Sequence, residues 1–172
     1  KVVELAAGDT HTCALLEGGQ MRCWGNGYPG QLGYGDTENI GDDETPASVG
    51  TVDVGGSVVE LTTATAHTCA LLEGGKVRCW GAASAGELGY ASSSIIGDDE
   101  TPASAGDVDV GGDVMQVRAN GYRTCALLAD FNIRCWGKGD EGALGYGNTD
   151  TIGDDETPSS AGDVSVTDHP VF

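Results

Sequence analysis

Basic residues are scarce in this chain. Of 172 residues only 8 are lysine or arginine, against 27 aspartate and glutamate, giving a formal charge of -19. A surface of that sign repels phosphate backbones, which excludes a nucleic-acid footprint built on electrostatics. It is repelled in the same way by anionic lipid headgroups. A basic protein surface or calcium stays compatible with it, and acidity of this kind also simply keeps a protein soluble. Long apolar runs are missing as well: none approaches the ~20 residues needed to cross a bilayer, so no membrane insertion is expected. No stretch keeps a helical apolar period over the ~11 residues a helix needs. The chain opens at Lys1 with neither Met nor a signal peptide, and is expected to be a processed product, a fragment or a recombinant piece. There is no nucleophile with a base and an orienting acid in a distinctive local pattern, and no phosphate-cradling loop. No catalysis is expected.

What is abundant is glycine, 29 residues against 5 prolines. Without a collagen period this points to tight turns between short strands. The glycines recur with everything else. Cys13, Cys69 and Cys125 are spaced by 56 residues, as are Val2, Val58 and Val114, and Pro46, Pro102 and Pro158. Three ungapped copies at one period imply a repeat architecture in which each unit buries its faces against its neighbours. The expected division is one repeat domain over 1–172, with units at 2–57, 58–113 and 114–169.

Within a unit the signals are those of strands. Val2 to Ala7 is a first strand, His11 to Leu16 a second and Gln20 to Trp24 a third, with a glycine turn at Gly18-Gly19. Val49 to Val54 supplies a short outer strand. A three-residue turn sets Leu15 opposite Met21 and Cys13 opposite Cys23. Alternation then puts these four on one face and Thr12, Ala14, Arg22 and Trp24 on the other. Both faces carry apolar groups, as a sheet packed between two neighbours requires. The third unit has Ala129-Asp130-Phe131-Asn132 at this turn. Phe131 suits a positive φ poorly, so the expectation is that Asn132 takes the left-handed position or that the loop differs.

The repeated block comprises His11-x-Cys13-Ala14-Leu15, the glycine turn, Cys23-Trp24-Gly25 and Gly30-Gln31-Leu32-Gly33. It resembles the RCC1 repeat, the regulator-of-chromosome-condensation type of β-propeller blade, and more its bacterial, cysteine-bearing members than its chromatin-associated ones. The resemblance implies an all-β fold of three four-stranded blades. It also implies a partial propeller, completed by self-association or by further sequence, because blades usually close in rings of about seven. His11 and His67 fall at a position where the family most often has a structural hydrogen-bonding group, replaced here by Arg123 in the third unit. Trp24, Trp80 and Trp136 fall at the family's structural Trp-Gly position, expected to pack blade on blade.

Two further residue sets stand out. The hairpin register places Cys13 against Cys23, Cys69 against Cys79 and Cys125 against Cys135, within reach of a disulfide. Three intra-blade disulfides are expected, and with them an extracellular, cell-surface or periplasmic location. Buried free thiols and zinc are the competing readings. The loop Ile-Gly-Asp-Asp-Glu-Thr-Pro recurs at 40–46, 96–102 and 152–158. Its paired aspartates, Asp42 and Asp43, Asp98 and Asp99, Asp154 and Asp155, supply oxygens of the kind calcium takes. Otherwise no cofactor is expected, and the bland reading is a solvated turn closed by proline. The functional expectation is a protein-protein interaction or assembly module whose partner is another protein or a copy of itself. The alternatives are a calcium-stabilised surface or adhesion module, a guanine-nucleotide exchange factor and a propeller that inhibits a secreted enzyme.

Overall fold

The computed structural model describes residues 1–167. The last part of the third expected unit, 168–169, lies outside the described residues, as does His169. Among the described residues nine strands run in chain order: β1 (Val2–Ala7), β2 (His11–Leu16), β3 (Met21–Gly25), β4 (Val58–Thr63), β5 (His67–Leu72), β6 (Lys76–Gly81), β7 (Val114–Asn120), β8 (Arg123–Leu128) and β9 (Ile133–Gly137). They form three separate antiparallel sheets of three consecutive strands each. The hairpin registers are identical: Cys13 lies opposite Cys23, Cys69 opposite Cys79 and Cys125 opposite Cys135. Each pair is joined by a disulfide, with Cα separations of 4.1, 4.1 and 4.0 Å. Cross-strand pairing holds the two backbones near the separation a disulfide needs.

The sheets stack in chain order, and one continuous cluster of buried residues runs through all three. The face bearing the cysteines of one sheet lies against the Thr-and-Trp face of the next: Cys69 Sγ lies 3.9 Å from Thr124 Oγ1. We call the Thr-and-Trp face of a blade its leading face and the cysteine face its trailing face.

Three local expectations are corrected. The outer strand is not a strand. Thr51–Val54 places a single bond on the sheet, Val52 N–H to the Met21 carbonyl at 3.0 Å, and the later units repeat it at Val108 and Val164. At Asp53 the chain turns, its carboxylate accepting the Gly55 N–H at 3.0 Å, which leaves too few residues for a ladder. The blades are therefore three-stranded, although Val52 and Val54 still bury their side chains against the core. Second, the acidic loops of the later units run into one-turn helices, α1 (Pro102–Ala105) and α2 (Pro158–Ala161). Proline opens each at the first helical position, where its missing N–H costs nothing. Third, Phe131 itself takes the left-handed conformation, at φ 69°. The turn bonds override its preference: Phe131 N–H reaches the Leu128 carbonyl at 2.9 Å, as Gly19 N–H reaches Leu16, while the ring stays in solvent.

Candidate protein-interaction surface

The joint between two blades is built twice, from the same parts. Thr68 stands just before the first cysteine of its blade, on the leading face. Its hydroxyl donates to the Gln31 carbonyl of the preceding blade at 2.9 Å, and Trp80 Nε1 donates to the same carbonyl at 3.0 Å. The next joint repeats the arrangement, with Thr124 and Trp136 both donating to the Glu87 carbonyl at 3.0 Å. Trp80 and Trp136 are fully buried there. The glycine after Leu32 makes the socket: a Cβ on Gly33 would lie 2.6 Å from Trp80 Nε1, and one on Gly89 2.8 Å from Trp136 Nε1.

The histidines complete each joint. His11 Nε2 lies 2.8 Å from Thr68 Oγ1, and His67 Nε2 lies 2.9 Å from Thr124 Oγ1. Each threonine has already given its one proton to a carbonyl, so each histidine is the donor and carries its hydrogen on Nε2. Burial disfavours the charged imidazole, pushing His11 down to about 4 and His67 to about 3. Both rings are neutral hydrogen-bond donors at neutral pH.

Two buried polar side chains sit at the same carbonyl-bearing position. Gln31 and Glu87 are both fully buried. The amide group of Gln31 makes no hydrogen bond, while Glu87 Oε2 accepts the Ala85 N–H at 2.7 Å and its Oε1 is unpaired. Burial raises the Glu87 carboxyl above the usual carboxylate range, against those backbone bonds. The outer rim is held by arginine. Arg78 donates to the Val54 carbonyl at 2.6 Å and to Asp107 at 3.0 Å, and Arg134 pairs with Asp163 at 3.0 Å in the same way.

Among the described residues, the first and last blades carry these parts without partners. On the leading face of the first blade Leu5 is 64% exposed, whereas its counterparts Leu61 and Val117 are 3% and 0%. Trp24 is partly exposed. Arg22 Nε is buried without a hydrogen bond, because Thr51 stands where the later units have Asp107 and Asp163. On the trailing face of the third blade Val166 is 67% exposed, against 4% for both Val54 and Val110. Arg123 and Ala143, at the positions of His67 and Glu87, are exposed.

The acidic loops of the second and third units begin against the glycine corner of the preceding blade, Gly97 beside Gly30 and Gly33 and Gly153 beside Gly86 and Gly89. In each of the three loops, three carboxylates, Asp42, Asp43 and Glu44 and their counterparts, offer oxygens within 4.8 Å of one another. Gly41 N–H donates to Glu44 Oε1 at 2.8 Å, so the glutamate caps this loop. Burial, with hydrogen bonding and repulsion from its neighbours Asp155 and Asp154, pushes Glu156 up to about 7. Beside the first loop lies an open basin of about 680 Å³ lined by Tyr34, Asn39, Ile40 and acidic groups. The tyrosines of this corner, absent from the sequence expectations, tie it to the sheet: the Tyr34 hydroxyl accepts the Cys23 N–H and donates to the Cys23 carbonyl, both at 3.2 Å. The signal for them was the leucine-glycine-tyrosine step at 32–34, repeated at 88–90 and 144–146.

Stacked antiparallel blades with one repeating joint define an all-β repeat protein of the β-propeller class. Residues 2–31 and 65–87 match the family model described as "Regulator of chromosome condensation (RCC1) repeat". Among curated proteins the chain is 33% identical over 151 residues to the ultraviolet-B receptor UVR8 of Arabidopsis thaliana, covering 87% of this chain and 32% of that protein. It is 31% identical over 153 residues to the human E3 ubiquitin-protein ligase HERC2, covering 88% of this chain and 3% of the ligase. The chain thus spans a third or less of these relatives. Among solved structures it superposes on yeast RCC1 (Prp20), crystallised bound to Kap60, with a TM-score of 0.72 and 18% identity over 96% of this chain and 37% of that one. Human WBSCR16 gives a TM-score of 0.68 at 20% identity, over 91% of this chain and 38% of that one. At these identities the structures speak for the fold alone. Among the described residues no helix is long and apolar enough to cross a membrane.

Proposed function

We propose that this chain is a non-catalytic protein-interaction module of RCC1-type blades, whose two open blade faces are taken up by further protein. The observation carrying this is the joint itself. It is made twice inside the chain, and each half of it is left exposed once, at opposite ends. An apolar sheet face that stays in water is a docking surface in waiting. The yeast relative crystallised with Kap60, and its binding to Gsp1p and histones, supports a protein partner over a small molecule. The three disulfides favour an oxidising location: extracellular, cell-surface or periplasmic. The experiment is mass in solution across concentration and against candidate partner proteins. The expected result is association that buries the end faces; a chain that remains single and binds no protein would overturn the reading.

A second reading, a calcium-stabilised surface module, draws on the close carboxylates in all three acidic loops. Thermal melting with calcium and then with a chelator separates the two. A rise in Tm reversed by the chelator supports it, and an unchanged Tm removes it.

A further inference from the structure

We propose that the chain carries a protein-binding surface separate from the end faces. It is the row Val3, Val59 and Met115 on the first strands of the blades, fitted to a protein segment that sets apolar side chains beside lysine or arginine. This adds a surface to the interaction reading above and does not use the open blade faces.

Among the described residues, this is the one position of the repeat at which every unit exposes a large apolar side chain. Val3 is 58% exposed, Val59 48% and Met115 44%. The position before it behaves differently: Val2 is 55% exposed, but Val58 and Val114 are 3% and 5%. Position 2 is covered wherever a preceding blade is present, and position 3 is not. The middle unit has a blade on either side, yet Val59 is still half exposed, so an adjacent blade is not what covers the row.

The cause is a bulge made three times. Val2 pairs with Leu16 and Glu4 with Leu15, which leaves Val3 without a partner on β2; Val59 and Met115 are skipped in the same way. The extra residue breaks the alternation of the strand. Val58 and Leu61, three residues apart, are then both buried between blades, and the skipped residue stays outside. Single exposed valines are ordinary on a surface. An apolar residue held at the same bulge in all three units is a repeated feature. Strands β1, β4 and β7 lie side by side, and Glu60 accepts the Val117 N–H across one gap at 2.9 Å, so the three positions follow one another from blade to blade.

Charge selects the occupant. Along this edge the basic groups are already engaged: Lys1 pairs with Glu17 at 3.1 Å, Lys76 with Asp113 at 3.2 Å, and Arg118 with Glu60. Glu73 and Asp130 are exposed there and, among the described residues, have no basic partner. Both are tied close to the row. Glu73 N–H bonds the Ser57 carbonyl, two residues before Val59, and Ala129, next to Asp130, bonds the Asp113 carbonyl, two residues before Met115. Apolar groups edged by free carboxylates complement apolar groups edged by ammonium or guanidinium. At a charge of -19 a second copy of the chain is repelled instead.

The test is titration of the full chain with a fluorescent amphipathic leucine-lysine peptide, read by anisotropy. A glycine-lysine peptide of equal charge and a leucine-glutamate peptide of equal apolar content run beside it. The leucine-lysine peptide should bind and the leucine-glutamate peptide should not. The glycine-lysine peptide should bind at least about tenfold more weakly, a gap that persists as salt screens the shared charge. Val59→Ser should weaken leucine-lysine binding about fivefold, and the triple variant Val3→Ser, Val59→Ser, Met115→Ser about thirtyfold. Should the serines lower Tm, Val3→Thr, Val59→Thr and Met115→Gln keep strand-compatible shapes and should show the same order of loss. Equal binding of the two lysine peptides, binding of the leucine-glutamate peptide, or a folded triple variant that binds like the parent overturns the proposal. Self-association of the parent that the triple variant loses would make the occupant a copy of this chain and overturn the cationic partner. The end faces are unaltered in these variants, so each of these results leaves the interaction reading standing.

Discussion

The leading faces of the first and second blades carry the same residues and meet opposite fates. Leu5 and Leu61 begin in the same strand position, yet one is 64% exposed and the other 3%. Arg78 has three oxygen partners, while Arg22 keeps a buried nitrogen with none. Nothing within either sheet explains the difference, because hairpin register and disulfide are the same in both. The difference is the neighbour. A blade of this kind is only half of its own stability, and what a residue contributes depends on whether the next wedge is present.

The largest test of that contrast is the tryptophan pair. Trp80→Ala removes a fully buried indole and its bond to Gln31, with an expected loss of about 3–5 kcal/mol. Trp24→Ala in the single chain should cost under about 1 kcal/mol. Denaturant melts of both variants at low concentration measure the gap, and equal losses would break the comparison. The disulfides come next. Each closes a hairpin of the same sequence separation, 10 residues, so removing any one should cost about 2–3 kcal/mol from loop closure. Replacing Cys69 and Cys79 by serine should cost more than replacing Cys125 and Cys135, because the former pair faces Thr124 across a filled joint and the latter faces the open end.

Acid sharpens the contrast in a different way. His67 is held neutral in the second joint, with its pKa lowered from 6.5 to about 3. Its contribution is complete above pH 6.5 and is lost as pH falls toward 3, since only the unfolded chain takes up the proton over that range. Between pH 6.5 and 4.5 this one ring should remove roughly 2 kcal/mol, and His67→Gln should flatten that part of the profile. Glu87 works in the other direction. Its raised pKa gives stability that is complete at low pH and is lost as pH rises through the raised value, so Glu87→Gln, the residue type found at 31, should raise Tm above that value. The smallest effect is at the third hairpin. Phe131→Gly relieves a left-handed conformation and should stabilise by about 1 kcal/mol, with no effect on association.

Much of this was legible in the sequence because the repeats are ungapped. The 56-residue period, the strand positions and the opposition of Cys13 to Cys23 follow from alternation and one turn length. The joint was less legible. Thr68 and Thr124 hide as ordinary residues before a cysteine, and the atoms they reach are backbone carbonyls, which no side-chain pattern advertises. Gln31 and Glu87 look like surface residues in a glycine-rich loop, yet they are sealed between blades. The outer strand misled for a related reason: Thr51-Val52-Asp53-Val54 alternates like a strand, but its valines are used for packing while Asp53 turns the backbone away. At Phe131, intrinsic preference lost to two turn hydrogen bonds.

Tryptophan accessibility puts the whole account to a single measurement. Trp80 and Trp136 are already buried and serve as internal standards, so oxidative footprinting resolved by residue reports Trp24 against them as the concentration of the chain is raised. Progressive protection of Trp24, in step with a rising mass and with the other two unchanged, is the expected result. A Trp24 that reacts equally at every concentration of the chain and of each added candidate partner protein, in a chain that remains 17.5 kDa throughout, would contradict it.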